Sequence, residues 1–326
     1  MIGRRKILII RFSSIGDIIL TTPVIRCVKQ QSGDEIHFLT YRKFADILVP
    51  NPYIDRIIAV DRLNVDLIIS LRRENYYLII DLHKNLKSLL IKNSLLTKSI
   101  NFNKLNLQKW VLVNFAINLM PEKHLIDRYF EALKSIGIVD DGQGMDYFYE
   151  IHTDRKSEFL SLLPERYLCL VLGATYFTKR IPVTKCSEII DGSHLPIVLL
   201  GGNDVGEEAV SLQALYPDVI NLVGKLNLHE SAFCIDKSYG VITGDTGLMH
   251  MAAALKKPIA MVWGGTSPEI GMYPYYGKNN QNLSVHFRVN GLNCQPCSKI
   301  GKNRCPKGHF DCMMKQDFTS LESEFI

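Results

Sequence analysis

Strand-length runs of uninterrupted apolar residues recur along this chain, and helix-like segments separate most of them. "KILIIRF" (6–12), "EIHFLT" (35–40), "IDRIIAV" (54–60) and "YYLIIDL" (76–82) form one series. "YLCLVLG" (167–173), "LPIVLLGG" (195–202), "VINLVG" (219–224), "YGVITGD" (239–245) and "PIAMVWGG" (258–265) form a second. A strand with one face in water alternates apolar and polar residues, whereas continuous apolarity marks a parallel strand covered on both faces. "DIILTTPVIRCVKQQ" (17–31) reads as the helix after the first strand, and "ESAFCID" and "LMHMAAAL" as helices of the second series. Residues 105–136 are mainly helical in pattern, with "WVLVNFAINLM" the most apolar stretch, and "DDGQG" (140–144) is a turn-rich break. A chain of 326 residues exceeds one ordinary core. The expectation is therefore an α/β protein of two doubly wound domains, 1–155 and 156–326.

Composition narrows the class. Hydrophobic residues at 47% with charged residues at 22% describe a globular chain rather than a disordered one. No apolar run approaches the ~20 residues that cross a bilayer as a helix. The amino terminus starts like a leader, but Arg11 interrupts its apolar stretch, so a cytoplasmic protein is expected. Residues 1–150 hold 21 Lys and Arg against 16 Asp and Glu, and the remainder 17 against 17, so the net +5 lies in the first half. Between 72 and 109, Arg72, Arg73, Lys84, Lys87, Lys92, Lys98, Lys104 and Lys109 face only Glu74 and Asp81. This is either a solvated face or a landing surface for an anionic ligand such as a phosphorylated lipid headgroup. Aromatic residues do not interleave with these lysines, which disfavours nucleic acid.

In doubly wound sheets ligands bind beyond the carboxyl ends of the strands. The loops there are "SSIGD" (13–17), "GATYFTK" (173–179), "GGNDVGEE" (201–208), "VGKLN" (223–227), "GDTGLMH" (244–250) and "GGTSPE" (264–269). Glycine beside small polar residues suits a backbone that approaches phosphate oxygens. Neither GxGxxG nor GxxxxGK[ST] is present, so a dinucleotide dehydrogenase or a P-loop NTPase is disfavoured.

Asp245-Thr246-Gly247 spells an aspartic protease half-site, but a second copy is absent. Following a strand and opening an alanine-rich helix, the triplet reads instead as an anion site. Asp245 or Thr246 caps the helix, free N–H groups point outward, Gly247 allows close approach, and His250 is a donor one turn in. A core histidine is the competing reading of His250. Asp17 is either an ordinary N-cap or a carboxylate that accepts a proton from a hydroxyl. Thr175 and Lys179 follow the first strand of the second series, where a lysine can neutralise a departing diphosphate; a plain surface lysine is the alternative.

Together "FSSIGDIILTTPVI" (12–25), "NPYIDRIIAVD" (51–61), "GATYFTKRIP" (173–182) and "GDTGLMHMAAALKKPIAMVWGGTSP" (244–268) resemble, in order and spacing, the lipopolysaccharide heptosyltransferases of glycosyltransferase family 9. The resemblance implies a GT-B fold, two Rossmann-like domains facing across a cleft, with the nucleotide sugar held by the C-terminal domain and a lipid-linked acceptor by the N-terminal one. It implies an inverting transfer from ADP-heptose, with Asp17 as general base and donor contacts at Thr175, Lys179, Asp245, Thr246, Gly247 and His250. It implies an anionic glycolipid acceptor over Lys84, Lys87, Lys92, Lys98 and Lys104, and peripheral contact with the inner face of the inner membrane. Where the family commonly has Lys-Arg-Trp-Pro, this chain has Lys179-Arg180-Ile181-Pro182. The sequence contains no Asp-x-Asp, so no metal or other cofactor is expected, and Lys179 with the helix mouth at 245–248 is left to stabilise the leaving group.

Four cysteines (Cys27, Cys169, Cys186, Cys234) sit among apolar residues as small core side chains. The others, Cys294, Cys297, Cys305 and Cys312 with His309 among them, fit free thiols, a structural zinc site or disulfides. A nucleotide-sugar epimerase of the same architecture would not need the basic stretch. A non-catalytic nucleotide-sugar binding protein would not need Asp17.

Overall fold

The computed structural model describes residues 5–325, so the first four residues of the leader-like stretch lie outside it. Two compact units are present. The first comprises Met1–Lys104, Lys123–Phe148 and Gly277–Asn280, and the second Leu105–Glu122, Tyr149–Tyr276 and Gln281–Ile326. A single cut between 155 and 156 therefore misses two exchanges of chain. Residues 105–122 fold with the second unit, and a four-residue piece near 277 folds with the first.

In chain order the first half contains β1 (Lys6–Ile10), α1 (Ile15–Ile19), α2 (Thr22–Ser32), β2 (Glu35–Tyr41), β3 (Arg56–Val60) and α3 (Val65–Arg73). Then come β4 (Leu78–Asp81), α4 (Leu86–Leu95), β5 (Ser99–Asn101), α5 (Asn106–Phe115) and α6 (Leu125–Leu133). The strands of the first unit form one parallel sheet in the order β3-β2-β1-β4-β5. Leu8, Ile10, Leu39 and Ile79 pack with Leu67, Leu71 and Ile91 of α3 and α4. The chain reverses direction across the sheet at β1, which has β2 on one side and β4 on the other. The loops after β1 and β4 consequently lie side by side at the switch point.

The second unit contains α7 (Thr153–Leu162), β6 (Leu168–Val171), α8 (Val183–Asp191), β7 (Ile197–Leu200), α9 (Gly206–Leu215), β8 (Ile220–Asn221) and α10 (Leu228–Lys237). It continues with β9 (Gly240–Thr243), α11 (Gly247–Ala254), β10 (Ile259–Val262), β11 (Ser284–Phe287), α12 (Asp311–Met314) and α13 (Leu321–Phe325). Its six parallel strands run β11-β10-β9-β6-β7-β8. Leu168, Leu170, Ile242, Ala260 and Val262 form its core with Ile189, Leu212, Met313 and Phe325. The apolar stretch near 110 joins this unit because Leu112 and Met120 cluster with Ile270.

Each expected strand is present, most of them shorter than their apolar runs, and β5 and β11 add an edge to their sheets. The single helix expected over 17–31 is two. Pro23 lies at the start of α2, where it can donate no hydrogen bond to the preceding turn, so the helix ends at Ile19 and restarts at Thr22. Caps are local where the sequence supplies them: Asn64 accepts from Leu67 N–H at 2.9 Å, and Asn85 and Ser88 bond reciprocally at 2.9 and 3.0 Å. Among the described residues no helix is long and apolar enough to cross a membrane.

A carboxylate lies within the first unit's apolar layer. Asp81 ends β4 wholly buried, accepting from the N–H groups of His83 and Lys84 at 3.0 and 2.7 Å and from Ser88 Oγ at 2.8 Å. Lys92 Nζ pairs with it at 2.9 Å and is itself only 10% exposed. Lys92 thus turns inward to neutralise Asp81, which corrects the expectation that it touches an acceptor. Removing one partner of a buried pair strands the other charge. Lys92→Ala is expected to cost about 3–5 kcal/mol in a urea unfolding experiment, whereas Lys98→Ala, at an exposed position, leaves the midpoint unchanged.

Candidate active site

At the switch point of the first unit, Arg11 follows β1 and is 8% exposed. Its Nε donates to Ser13 O at 2.7 Å and one terminal nitrogen to Leu82 O at 2.6 Å, so the guanidinium spans the loops after β1 and β4. Its other terminal nitrogen pairs with Asp17. Asp17 also accepts from Ser14 N–H at 3.2 Å and Ser14 Oγ at 2.8 Å. Asp17 is therefore not the N-cap of α1 but its third residue, bonded back to the cap Ser14. Burial works to raise its pKa, but the Arg11 charge and the Ser14 hydrogen bonds outweigh burial and hold the carboxyl below the ordinary carboxylate range. About a quarter of the side chain stays open to solvent, at 23%.

Three neighbours escaped the sequence reading: Arg11, His83 and Tyr129. His83 stands edge-on to Phe12 at 5.2 Å, and its Nδ1 is buried without a hydrogen-bond partner. Burial, then Arg11 and Lys104, push its pKa down to about 4, so the ring is neutral at pH 7. Tyr129 is wholly buried with its hydroxyl unpartnered, and burial pushes it up to about 12 while Arg11 opposes. His83 could have been found by applying the strand-end rule to the loop after β4 as well as to the loop after β1. Tyr129 lies on α6, far along the chain, and carries no local signal.

In the second unit the loops after β6, β9 and β10 converge. Lys179 Nζ pairs with Asp245 at 2.9 Å, their side chains 15% and 14% exposed. Thr266 Oγ donates to Asp245 at 2.8 Å. Thr246 is the N-cap of α11, its Oγ accepting from Met249 N–H at 3.2 Å, and Gly247 is the first helical residue. Lys179, Asp245, Thr246 and Gly247 are thus brought together by the Lys179–Asp245 pair and the start of α11. Thr175 is exposed on the loop after β6. His250 is 2% exposed, the burial of a core histidine. Ile181, where the family commonly has Trp, packs into the core of the unit.

The glycines of these loops have a different use from the one expected. A Cβ on Gly244 would lie 2.2 Å from Lys179 O, and one on Gly264 2.4 Å from Thr178 O. Gly265 N–H bonds Thr178 O at 2.7 Å. These glycines let three loops touch backbone to backbone, which fixes where Lys179 starts. The cysteine-bearing tail reinforces the contact. Thr178, 1% exposed, exchanges backbone bonds with Lys302 and Gly265 and accepts Lys302 N–H on its Oγ at 2.8 Å. Cys297 N–H and Ser298 N–H both reach Gly265 O, at 3.1 and 3.2 Å, and Gln295 Nε2 reaches Gly264 O at 2.7 Å.

No disulfide joins any of the eight cysteines. Among the described residues, three metal-type ligand atoms gather within 4.8 Å only at Cys27, Asp140 and Asp141. There Arg26 and Lys278 already pair with the carboxylates. Cys312 is buried, and burial followed by the neighbouring tail cysteines pushes it up to about 12.

Residues 65–305 match the model of glycosyltransferase family 9 (heptosyltransferase). Lipopolysaccharide heptosyltransferase 1 of Campylobacter coli is 29% identical over 80% of this chain and 84% of its own length. Lipopolysaccharide heptosyltransferase 1 of Salmonella typhimurium is 24% identical over 91% and 99%. Among solved structures, a family 9 glycosyl transferase from Veillonella parvula superposes with a TM-score of 0.73 at 18% identity, covering 96% of this chain and 94% of that one. Escherichia coli heptosyltransferase WaaC, solved with ADP, gives 0.63 at 23%, covering 86% and 93%. The fold is therefore GT-B, two Rossmann-like units.

Gly244→Ala places a methyl group against the Lys179 carbonyl, and the expected loss is about 1–3 kcal/mol. Gly206→Ala, whose added Cβ meets open space, is the control: in thermal melts the first variant unfolds several degrees earlier and the second does not.

Proposed function

The chain belongs to glycosyltransferase family 9, and from that premise we propose that it moves a heptose from ADP-heptose to the lipopolysaccharide core, inverting the anomeric centre. The pairing of Asp245 with both Lys179 and Thr266 at the mouth of α11 is the observation that most supports the donor half of this reading. The diphosphate meets the free N–H groups of α11 and the Lys179 ammonium, a cation and a helix start that both favour negative charge. Asp245 cannot face phosphate without repulsion, so it holds Lys179 in place and accepts hydrogen bonds from sugar hydroxyls. Thr175, Thr246 and Gly247 line the same donor site. His250 supports α11 from within the core rather than touching phosphate.

Asp17 is the base. The acceptor hydroxyl gives its proton to the Asp17 carboxylate as its oxygen bonds the anomeric carbon. The bond from that carbon to the diphosphate oxygen breaks on the opposite side, and the electron pair leaves on ADP. A carboxylate held below its ordinary pKa is a weak base at rest. Proton transfer therefore runs late, when the attacking oxygen has become acidic through bond formation. Arg11 keeps Asp17 ionised and aimed, and neutral His83 adds no competing charge. Lys84, Lys87, Lys98 and Lys104 contact the anionic acceptor, and the enzyme works at the inner face of the inner membrane.

Transfer from ADP-heptose to truncated lipopolysaccharide tests the reading, with ADP, UDP, GDP and CMP compared in binding. Tight UDP binding with indifference to ADP overturns the donor. Asp17→Ala is expected to lower kcat by about 10²–10⁴-fold with ADP affinity kept; near-full turnover removes Asp17 as base. Arg11→Gln removes the charge that opposes burial, so the Asp17 pKa rises. The acid limb of kcat/KM, set below the ordinary carboxylate range in the wild type, then moves to higher pH.

A further inference from the structure

Helices α3 and α4 pack side by side on the first unit, and both are apolar on two faces. α3 turns Leu67 and Leu71 into the core, yet Val65 and Ile69, also one turn apart, are 72% and 42% exposed. α4 buries Ser88 and Ile91 and leaves Leu86, Leu89 and Leu90 at 85%, 46% and 57% exposed. Leu96, directly after α4, is 89% exposed. Positions i, i+3 and i+4 share a helix face, so the three leucines form one stripe opposite the residues that hold α4 to the sheet. A surface helix ordinarily carries one apolar stripe. Contiguous exposed apolar residues of this kind mark a surface that meets something other than water.

The charges around the stripe say what it meets. Arg72, Arg73, Lys87 and Lys98 are exposed there, and Arg72 Nε bonds Ser94 O at 2.9 Å, tying the end of α3 to the end of α4. The acids are largely spent: Asp81 is neutralised inside by Lys92, and Glu74 pairs with Lys6 and Arg56. Asp66 is the exposed acid on α3. An apolar stripe bordered by cations matches an anionic bilayer, which takes leucines at the acyl boundary and lysine or arginine at the phosphates.

We propose that the α3–α4 face docks on an anionic lipid bilayer, with Leu86, Leu89, Leu90 and Leu96 entering the interface. The proposal rests on the lipid-linked acceptor reading for the surface the enzyme works on.

Sedimentation of the full chain with vesicles tests it. Vesicles of phosphatidylglycerol and phosphatidylethanolamine, free of lipopolysaccharide, are compared with phosphatidylcholine alone. The wild type is expected to bind the anionic vesicles at least tenfold better, with binding weakened by salt. Leu86→Ser/Leu89→Ser/Leu90→Ser is expected to lose at least tenfold in vesicle binding, while its melting temperature and its transfer to a water-soluble acceptor fragment stay unchanged. Should the triple variant misfold, Leu86→Ser alone, at a position 85% exposed, is expected to weaken binding several-fold. Wild-type protein that ignores anionic vesicles, or leucine variants that bind as wild type, overturn the proposal. So does a wild-type dimer that the triple variant dissociates without any vesicle binding, since the face is then an interface between copies. Transfer without vesicle binding overturns the docking face alone, and vesicle binding without transfer from ADP-heptose overturns the functional reading alone.

Discussion

A parallel strand covered on both faces leaves only its ends for polar chemistry, and both candidate sites follow from that constraint. β1, β4, β6, β9 and β10 bury nearly all of their residues, most of them apolar. The charged groups of the two candidate sites lie in the loops beyond the strand ends. Arg11 follows β1, Lys179 lies in the loop after β6, and Asp245 and Thr266 follow β9 and β10. Where a charge does enter the layer, as Asp81 does at the end of β4, a lysine and several donors are built in with it.

Both sites share one electrostatic device. Each holds a cation and a carboxylate in a partly enclosed pair, Arg11 with Asp17 and Lys179 with Asp245. Such a pair restrains a flexible side chain that would otherwise lose entropy on binding. In the first unit the pair keeps the proposed base ionised. In the second it stations the ammonium beside the start of a helix. Preorganised charge of this kind lowers the cost of reorganisation during the reaction.

Position of the second pair depends on contacts remote in sequence. Lys179 extends from a backbone held by Gly244, Gly264 and Gly265, which lack the Cβ atoms that would push the loops apart. The tail from Gln295 to Lys302 then closes over the same loop through Thr178 and Gly265. The cysteines of the tail sit in a segment whose backbone supports the Lys179 loop, and no disulfide joins them.

The sequence by itself determined the architecture and which strand-end loops carry the candidate residues. Continuous apolar runs admit only strands buried on both faces, and strand ends admit only a few loops. That Asp17, Lys179, Asp245, Thr246 and Gly247 lie in such loops was legible for that reason. Tertiary structure decided which charges remain available. Lys92 belongs to a basic stretch in one dimension, but helical phase points it inward at Asp81. His250 is one turn along an alanine-rich helix and is buried by its neighbours, and Asp17 bonds back to Ser14 instead of capping its helix. Arg11, His83 and Tyr129 surround Asp17 only because β1, β4 and α6 converge, and no spacing in the sequence encodes that meeting. Solvation and pairing are properties of three-dimensional neighbours, so they became readable only once the chain was folded.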